Sequence, residues 1–94
     1  MADRGKTISL DYDDTFTADP DLWRAFIELA TARGHHVVCI TARSSDMLRE
    51  VHDALPGIEV IPSNGGSKEA AADRHGLLVN IWIDDMPGII PADY

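Results

Sequence analysis

The sequence has a single cysteine, Cys39, in 94 residues. One thiol excludes a disulfide within the chain and argues against a cysteine-based zinc site. Cys39 lies inside an apolar run and reads as a small core residue rather than a nucleophile. Basic residues are also scarce: 8 Lys and Arg stand against 16 Asp and Glu, a formal net charge of −8. A domain that coats nucleic acid needs a basic footprint, so extended nucleic-acid binding is not expected. A bound divalent cation is compatible with the acidity, although most of these charges serve solubility. No apolar stretch approaches the length of a membrane span, and the N-terminal residues lack the apolar region of a signal peptide. The expected location is therefore the cytosol, with no membrane contact. Internal repeats, low-complexity tracts and linkers are missing too, so residues 1–94 are expected to form one domain. A hydrophobic content of 45% suits a globular chain, with a core kept small by the short length.

What the chain does have is a regular alternation of short apolar runs with helix-like patterns. The first run, Thr7 to Leu10, predicts a strand that ends at Asp11. Asp19 followed by Pro20 reads as an N-cap and a first helical position. Leu22, Phe26, Leu29 and Ala30 then recur at helical spacing, with Trp23 and Ile27 widening the stripe. Gly34 predicts a left-handed cap. Val37 to Ile40 is a second strand, ending at Thr41. Ser44 or Ser45 starts a helix bearing Met47, Leu48, Val51, Ala54 and Leu55, which Pro56 and Gly57 stop. Ile58 to Ile61 is a third strand, and "PSNGGS" a loop. Ser67 caps a third helix that Gly76 ends. Leu78 to Ile83, interrupted by Asn80, is the fourth strand, ending in Asp84 and Asp85. Met86 to Tyr94 reads as a tail or loop.

Near-continuous apolar strands separated by helices are typical of a parallel sheet covered on both faces. The expected fold is α/β: a small Rossmann-like three-layer sandwich around a mostly parallel four-stranded sheet, with no cap domain. Right-handed crossovers place every strand's C-terminal end on one edge. That edge would carry Asp11 and Asp13, then Thr41, then Asp84 and Asp85, with Lys68 opening the helix after the third strand. Open α/β sheets bind ligands there, near a switch in strand order. Three carboxylates in "DYDDT" (Asp11, Asp13 and Asp14) repel one another unless a cation or a shared proton compensates.

This order of motifs resembles the haloacid dehalogenase superfamily, whose commonest members are magnesium-dependent phosphatases. The family's Asp-x-Asp-x-Thr after an apolar strand stands here as "ISLDYDDT", with Asp11, Asp13 and Thr15 in register. "VVCIT" supplies the strand ending in Thr41, Lys68 the later lysine, and "IWIDD" the acidic strand end. The resemblance spans Ile8 to Asp85. It departs at Asp14, where the family often has Gly; Asp is among the residues that tolerate a left-handed backbone. It also departs in having no insertion long enough for a cap.

The resemblance implies a phosphomonoesterase acting through an aspartyl phosphate on Asp11, with Asp13 as general acid and base. It implies magnesium held by the Asp11 carboxylate, the Asp13 backbone carbonyl, Asp84 and, directly or through water, Asp85. Lys68 and the Thr41 hydroxyl would bind phosphoryl oxygens. The substrate would be a phosphorylated molecule of unknown class. An uncovered edge strand favours a homodimer over a monomer.

Blander readings stand beside these. "DYDDT" alone would pass for a polar turn, Thr41 for a strand-end residue, and Lys68 for a solvated lysine; their shared edge favours the functional reading. Arg43 reads as a solvated arginine sooner than a phosphate ligand. His35, His36, His52 and His75 have no metal-binding spacing and read as surface residues. Trp23 and Trp82 are expected in the core. Gly65 and Gly66 either present N–H groups to phosphate or form a plain flexible loop. Two other functions are compatible with these residues: a catalytically weak module that keeps the metal site, and a receiver-like phospho-acceptor. The motif order disfavours the second, since receivers place the acidic pair early and this chain places it last.

Overall fold

A computed structural model describes residues 5–91. Four strands form one all-parallel sheet: β1 (Thr7–Leu10), β2 (His36–Thr41), β3 (Glu59–Pro62) and β4 (Ile81–Ile83). Three α-helices connect them: α1 (Pro20–Ala32), α2 (Arg49–Ala54) and α3 (Lys68–Arg74). The strand order is β3-β2-β1-β4. The first two crossovers step the sheet in one direction, and the third returns past β1. Helices α1 and α2 therefore cover one face and α3 the other, which is the expected small Rossmann-like sandwich.

Alternation along the strands divides the core between the two faces. Leu10, Val37 and Cys39 pack with Ala30, Val51 and Leu55 beneath α1 and α2. Val38, Ile40 and Ile61 pack with Ala71 and Ala72 of α3. Cys39 is fully buried, and that burial pushes its thiol up to about 12, as expected of an inert core residue. Trp23 and Trp82 are only half-buried, lying at the margins of the two clusters. Among the described residues, no helix is long and apolar enough to cross a membrane.

Local chemistry sets the element ends. The Asp19 side chain accepts a hydrogen bond from the Leu22 N–H at 3.3 Å, and Pro20 opens α1 as read from the sequence. Gly34 adopts φ +90° just past its end. Pro62 closes β3, an edge strand, where a missing N–H costs no ladder bond.

Three expectations need correction. The predicted stripe on α1 is rotated: Leu22 and Leu29 are 53% and 62% exposed, while Trp23, Phe26, Ile27 and Ala30 face the sheet. A helix crossing a four-stranded sheet has too little surface beneath it to bury so wide a stripe. Neither Ser44 nor Ser45 caps α2. A 3-10 turn over Ser45–Met47 intervenes, α2 begins at Arg49, and Met47 is exposed. The fourth strand starts at Ile81 rather than Leu78. Asn80 exchanges bonds with Thr7 through its backbone N–H and its side-chain oxygen, both at 2.9 Å, and Leu78 is left exposed before it. Of the expected tail, residues 92–94 lie outside the described residues. The part before them contains a 3-10 turn, Pro87–Ile89, and the Ile90 carbonyl accepts from Ser67 Oγ and the Glu69 N–H at the start of α3.

The α1 correction predicts that Leu29→Ala changes stability by less than about 0.5 kcal/mol, as surface substitutions do. Ile40→Ala, at a fully buried position, should cost about 2–5 kcal/mol. Urea unfolding of both variants checks the contrast.

Candidate functional site

The strand order reverses at β1, so the crevice for a ligand lies above the C-terminal ends of β1 and β4. Asp11 is the first residue past β1, and its N–H donates to the Ile83 carbonyl at 2.9 Å. Asp84 and Asp85 follow β4 directly. Their side-chain oxygens and one of Asp11 lie within 4.8 Å of one another. A cavity of about 90 Å³ opens there, lined by Asp11, Asp13, Asp14, Asp84 and Asp85 with Ala42, Met86 and Ile89. A wider groove of about 410 Å³ lies between α1 and α2, and none of the predicted site residues lines it.

Lys68 holds this cluster together. It is the first residue of α3, and Ser67 caps that helix by accepting from the Ala70 N–H at 3.1 Å. From the far face of the sheet its side chain reaches over the strand ends. Its Nζ donates to Asp11 Oδ1 at 2.7 Å and to Asp84 Oδ2 at 2.5 Å. Lys68 is 1% exposed and Asp11 6%. Burial alone would favour the neutral amine, but the two carboxylates outweigh it and raise the Lys68 pKa. Asp11 shows the opposite balance. Burial pushes it up to about 6, although Lys68 pulls it down; Asp85 and Asp84 nearby add to the upward push.

The turn after β1 depends on Asp14, which adopts φ +65° and donates its N–H to Thr17 Oγ1 at 2.9 Å. The departure from Gly is thus accommodated at an Asp. That turn brings Thr15 back over the site. Its hydroxyl lies 3.0 Å from Asp11 Oδ2 and 3.2 Å from Asp85 Oδ1. One hydroxyl proton serves one carboxylate at a time. Thr15 therefore bridges the first and last motifs, a role the spacing did not reveal.

The remaining site residues are arranged less simply. Thr41, fully buried at the end of β2, accepts from the Arg43 N–H at 3.3 Å. Asp13 lines the same cavity, but its carboxylate has a partner other than Lys68. Arg43 grips both its oxygens, Nε to Oδ2 and Nη2 to Oδ1, each at 2.9 Å. These bonds hold the Asp13 carboxyl below its ordinary range. The solvated Arg43 expected from the sequence is replaced by an engaged one. The general-acid reading of Asp13 must accommodate an ionised, clamped carboxylate. The four histidines stay apart from the cluster, and His36, His52 and His75 are exposed. In the Gly65–Gly66 loop, Gly65 N donates to the Ala42 carbonyl and Gly66 N to the Ser63 carbonyl, so neither N–H is free for phosphate here.

Carboxylate oxygens are the hard donors that magnesium takes, and Asp11, Asp84 and Asp85 present three of them around one point. The donor set therefore fits that ion. No family model, curated protein or solved structure matches the chain.

The balance at Asp11 gives a signed pH prediction for the metal-free protein. Its folded value, about 6, lies above the ordinary 3.8. Between these values the folded state holds a proton that the unfolded chain has released, so stability falls as pH rises through this window and levels off above it. Asp13, shifted downward, contributes an opposite slope near its ordinary value, and both proteins carry it, so the difference between them reports Asp11. Asp11→Asn should flatten the slope in chelator-treated protein. Urea unfolding from pH 4 to 8 measures it, and equal slopes for the two proteins would contradict the assignment.

Proposed function

We propose that the protein is a magnesium-dependent phosphomonoesterase that works through an aspartyl phosphate on Asp11. One observation carries this reading. Lys68 joins Asp11 and Asp84 at 2.7 and 2.5 Å, so three motifs distant in sequence meet beside Asp85 at the switch point of the sheet. The haloacid dehalogenase resemblance assigns these same residues to one site.

An ionised Asp11 oxygen attacks phosphorus, and the bond to the ester oxygen breaks. Asp13, which has to take up a proton against the pull of Arg43 before this step, gives it to that oxygen, so the leaving group departs as an alcohol. Water then attacks phosphorus, Asp13 takes its proton, and the electron pair of the breaking bond returns to Asp11. Phosphate leaves and the carboxylate is restored. Lys68 spends two of its three N–H protons on Asp11 and Asp84 and has a third for a phosphoryl oxygen. The Thr41 hydroxyl serves another. Magnesium, held by Asp11, Asp84, Asp85 and the Asp13 carbonyl, would supply positive charge that keeps Asp11 ionised and offsets phosphoryl charge.

Phosphate release from a panel of phosphomonoesters tests the reading. Activity should require magnesium and vanish in Asp11→Asn, which keeps the fold but has no nucleophilic oxygen. Asp13→Asn should lose at least about tenfold, most for poor leaving groups, which depend on protonation. Magnesium-independent turnover, or an active Asp11→Asn, would overturn it. Millimolar magnesium should also raise the melting temperature by binding only the folded state, and Asp84→Asn should shrink that rise.

A further inference from the structure

The Arg43 side chain is held on every side. Nε and Nη2 take the two oxygens of Asp13, and Nη1 donates to the Met47 carbonyl at 3.0 Å and to Glu50 Oε1 at 3.3 Å. The guanidinium lies over the Tyr12 ring, 5.1 Å from its centroid, and Tyr12 is itself buried. The backbone of the same residue is fixed as well. Its N–H donates to Thr41 Oγ1, and its carbonyl accepts from the Asn64 N–H at 3.1 Å. Four of the five guanidinium N–H groups are thus engaged. Arg43 is not a free cation awaiting a substrate. It joins the turn after β1 to the turn after β2, with Asp13 at one end and Thr41 at the other.

Asp13 needs such a support. It sits in an exposed turn, its side chain is half exposed, and among the described residues its side-chain bonds come from Arg43 alone. An unsupported carboxylate there would sample several rotamers. A bidentate fork fixes its plane, which a point charge cannot do. Each oxygen still keeps a lone pair for the proton of a water.

We propose that Arg43 is a positioning residue that holds the Asp13 carboxylate in place for proton transfer, and that it does not bind the substrate. This rests on the phosphatase reading. In the second half-reaction, the clamped Asp13 accepts the proton of water as the water oxygen bonds to phosphorus and the Asp11–phosphorus bond breaks.

The test is a double-mutant cycle in kcat and KM with p-nitrophenyl phosphate and magnesium, using Arg43→Gln, Arg43→Lys, Asp13→Asn and each Arg43 variant combined with Asp13→Asn. Arg43→Gln should lower kcat by about tenfold or more, but by no more than Asp13→Asn does, and leave KM within about twofold. Arg43→Lys should not rescue it, because one ammonium cannot span both oxygens. Each double variant should match Asp13→Asn alone, since a support has no effect once its client is gone. A raised KM with kcat intact would overturn the proposal in favour of a substrate contact. Additive losses would overturn it in favour of a general structural role, as would rescue by lysine. If the parent releases no phosphate from any ester in the panel, the phosphatase reading falls and takes this inference with it. A parent that turns over while the cycle fails removes the inference alone.

Discussion

The arrangement depends on one buried ammonium group. Lys68 is placed by α3 on one face of the sheet, and its partners Asp11 and Asp84 follow β1 and β4. Removing a lysine from water is costly, and the cost is met only when the geometry satisfies its protons. Here two short contacts satisfy two of the three, and they draw together the ends of neighbouring strands that are farthest apart in sequence. The Asp11 N–H to Ile83 carbonyl bond and the Thr15 bridge to Asp85 work in the same direction. The three-residue strand β4 is thereby tied to β1 beyond its own short ladder.

The same interaction leaves a charge deficit. One ammonium faces three carboxylates, Asp11, Asp84 and Asp85, and burial keeps Asp11 from ionising as readily as an exposed aspartate. Such a cluster has more affinity for positive charge than Lys68 alone satisfies. On the proposed reading a hard cation supplies the remainder, and the ammonium is then shared with an incoming phosphoryl group. Asp13 stands apart, with its own cation, Arg43. The two aspartates of one motif therefore sit in opposite environments. One is pushed up by burial and the other held down by a guanidinium, the reverse of what a nucleophile and a general acid need, so on the proposed reading the bound cation has to bring Asp11 back down.

Much of this was legible in the sequence because strand ends are marked by abrupt changes from apolar to acidic residues. The strands before Asp11, Thr41 and Asp84, the cap at Asp19 and the stop at Gly34 follow from local chemistry that a reader can apply residue by residue. The shared edge of Asp11, Lys68 and Asp84 follows from the handedness of crossovers. What was not legible depends on packing across the chain. The period of α1 marks Leu22 and Leu29 as core candidates, but it does not say how wide a surface lies beneath the helix. Asn80 competes for β1 through its side chain, a contact across 73 positions. The fork between Arg43 and Asp13, 30 positions apart, gives no periodic signal. Its only trace is an arginine two residues past a strand end, beside another strand end that is rich in carboxylates.

The central claim is that Asp11, supported by Lys68 and the acidic pair after β4, is the phosphoryl acceptor. A crystal structure of the protein with magnesium and beryllium trifluoride, a mimic of an acyl phosphate, tests it most directly. The account predicts beryllium bonded to an Asp11 carboxylate oxygen, with Lys68 Nζ and Thr41 Oγ1 against its fluorines and magnesium between Asp11, Asp84 and Asp85. Beryllium on another carboxylate, or a site that binds neither ion at millimolar concentrations, would contradict it.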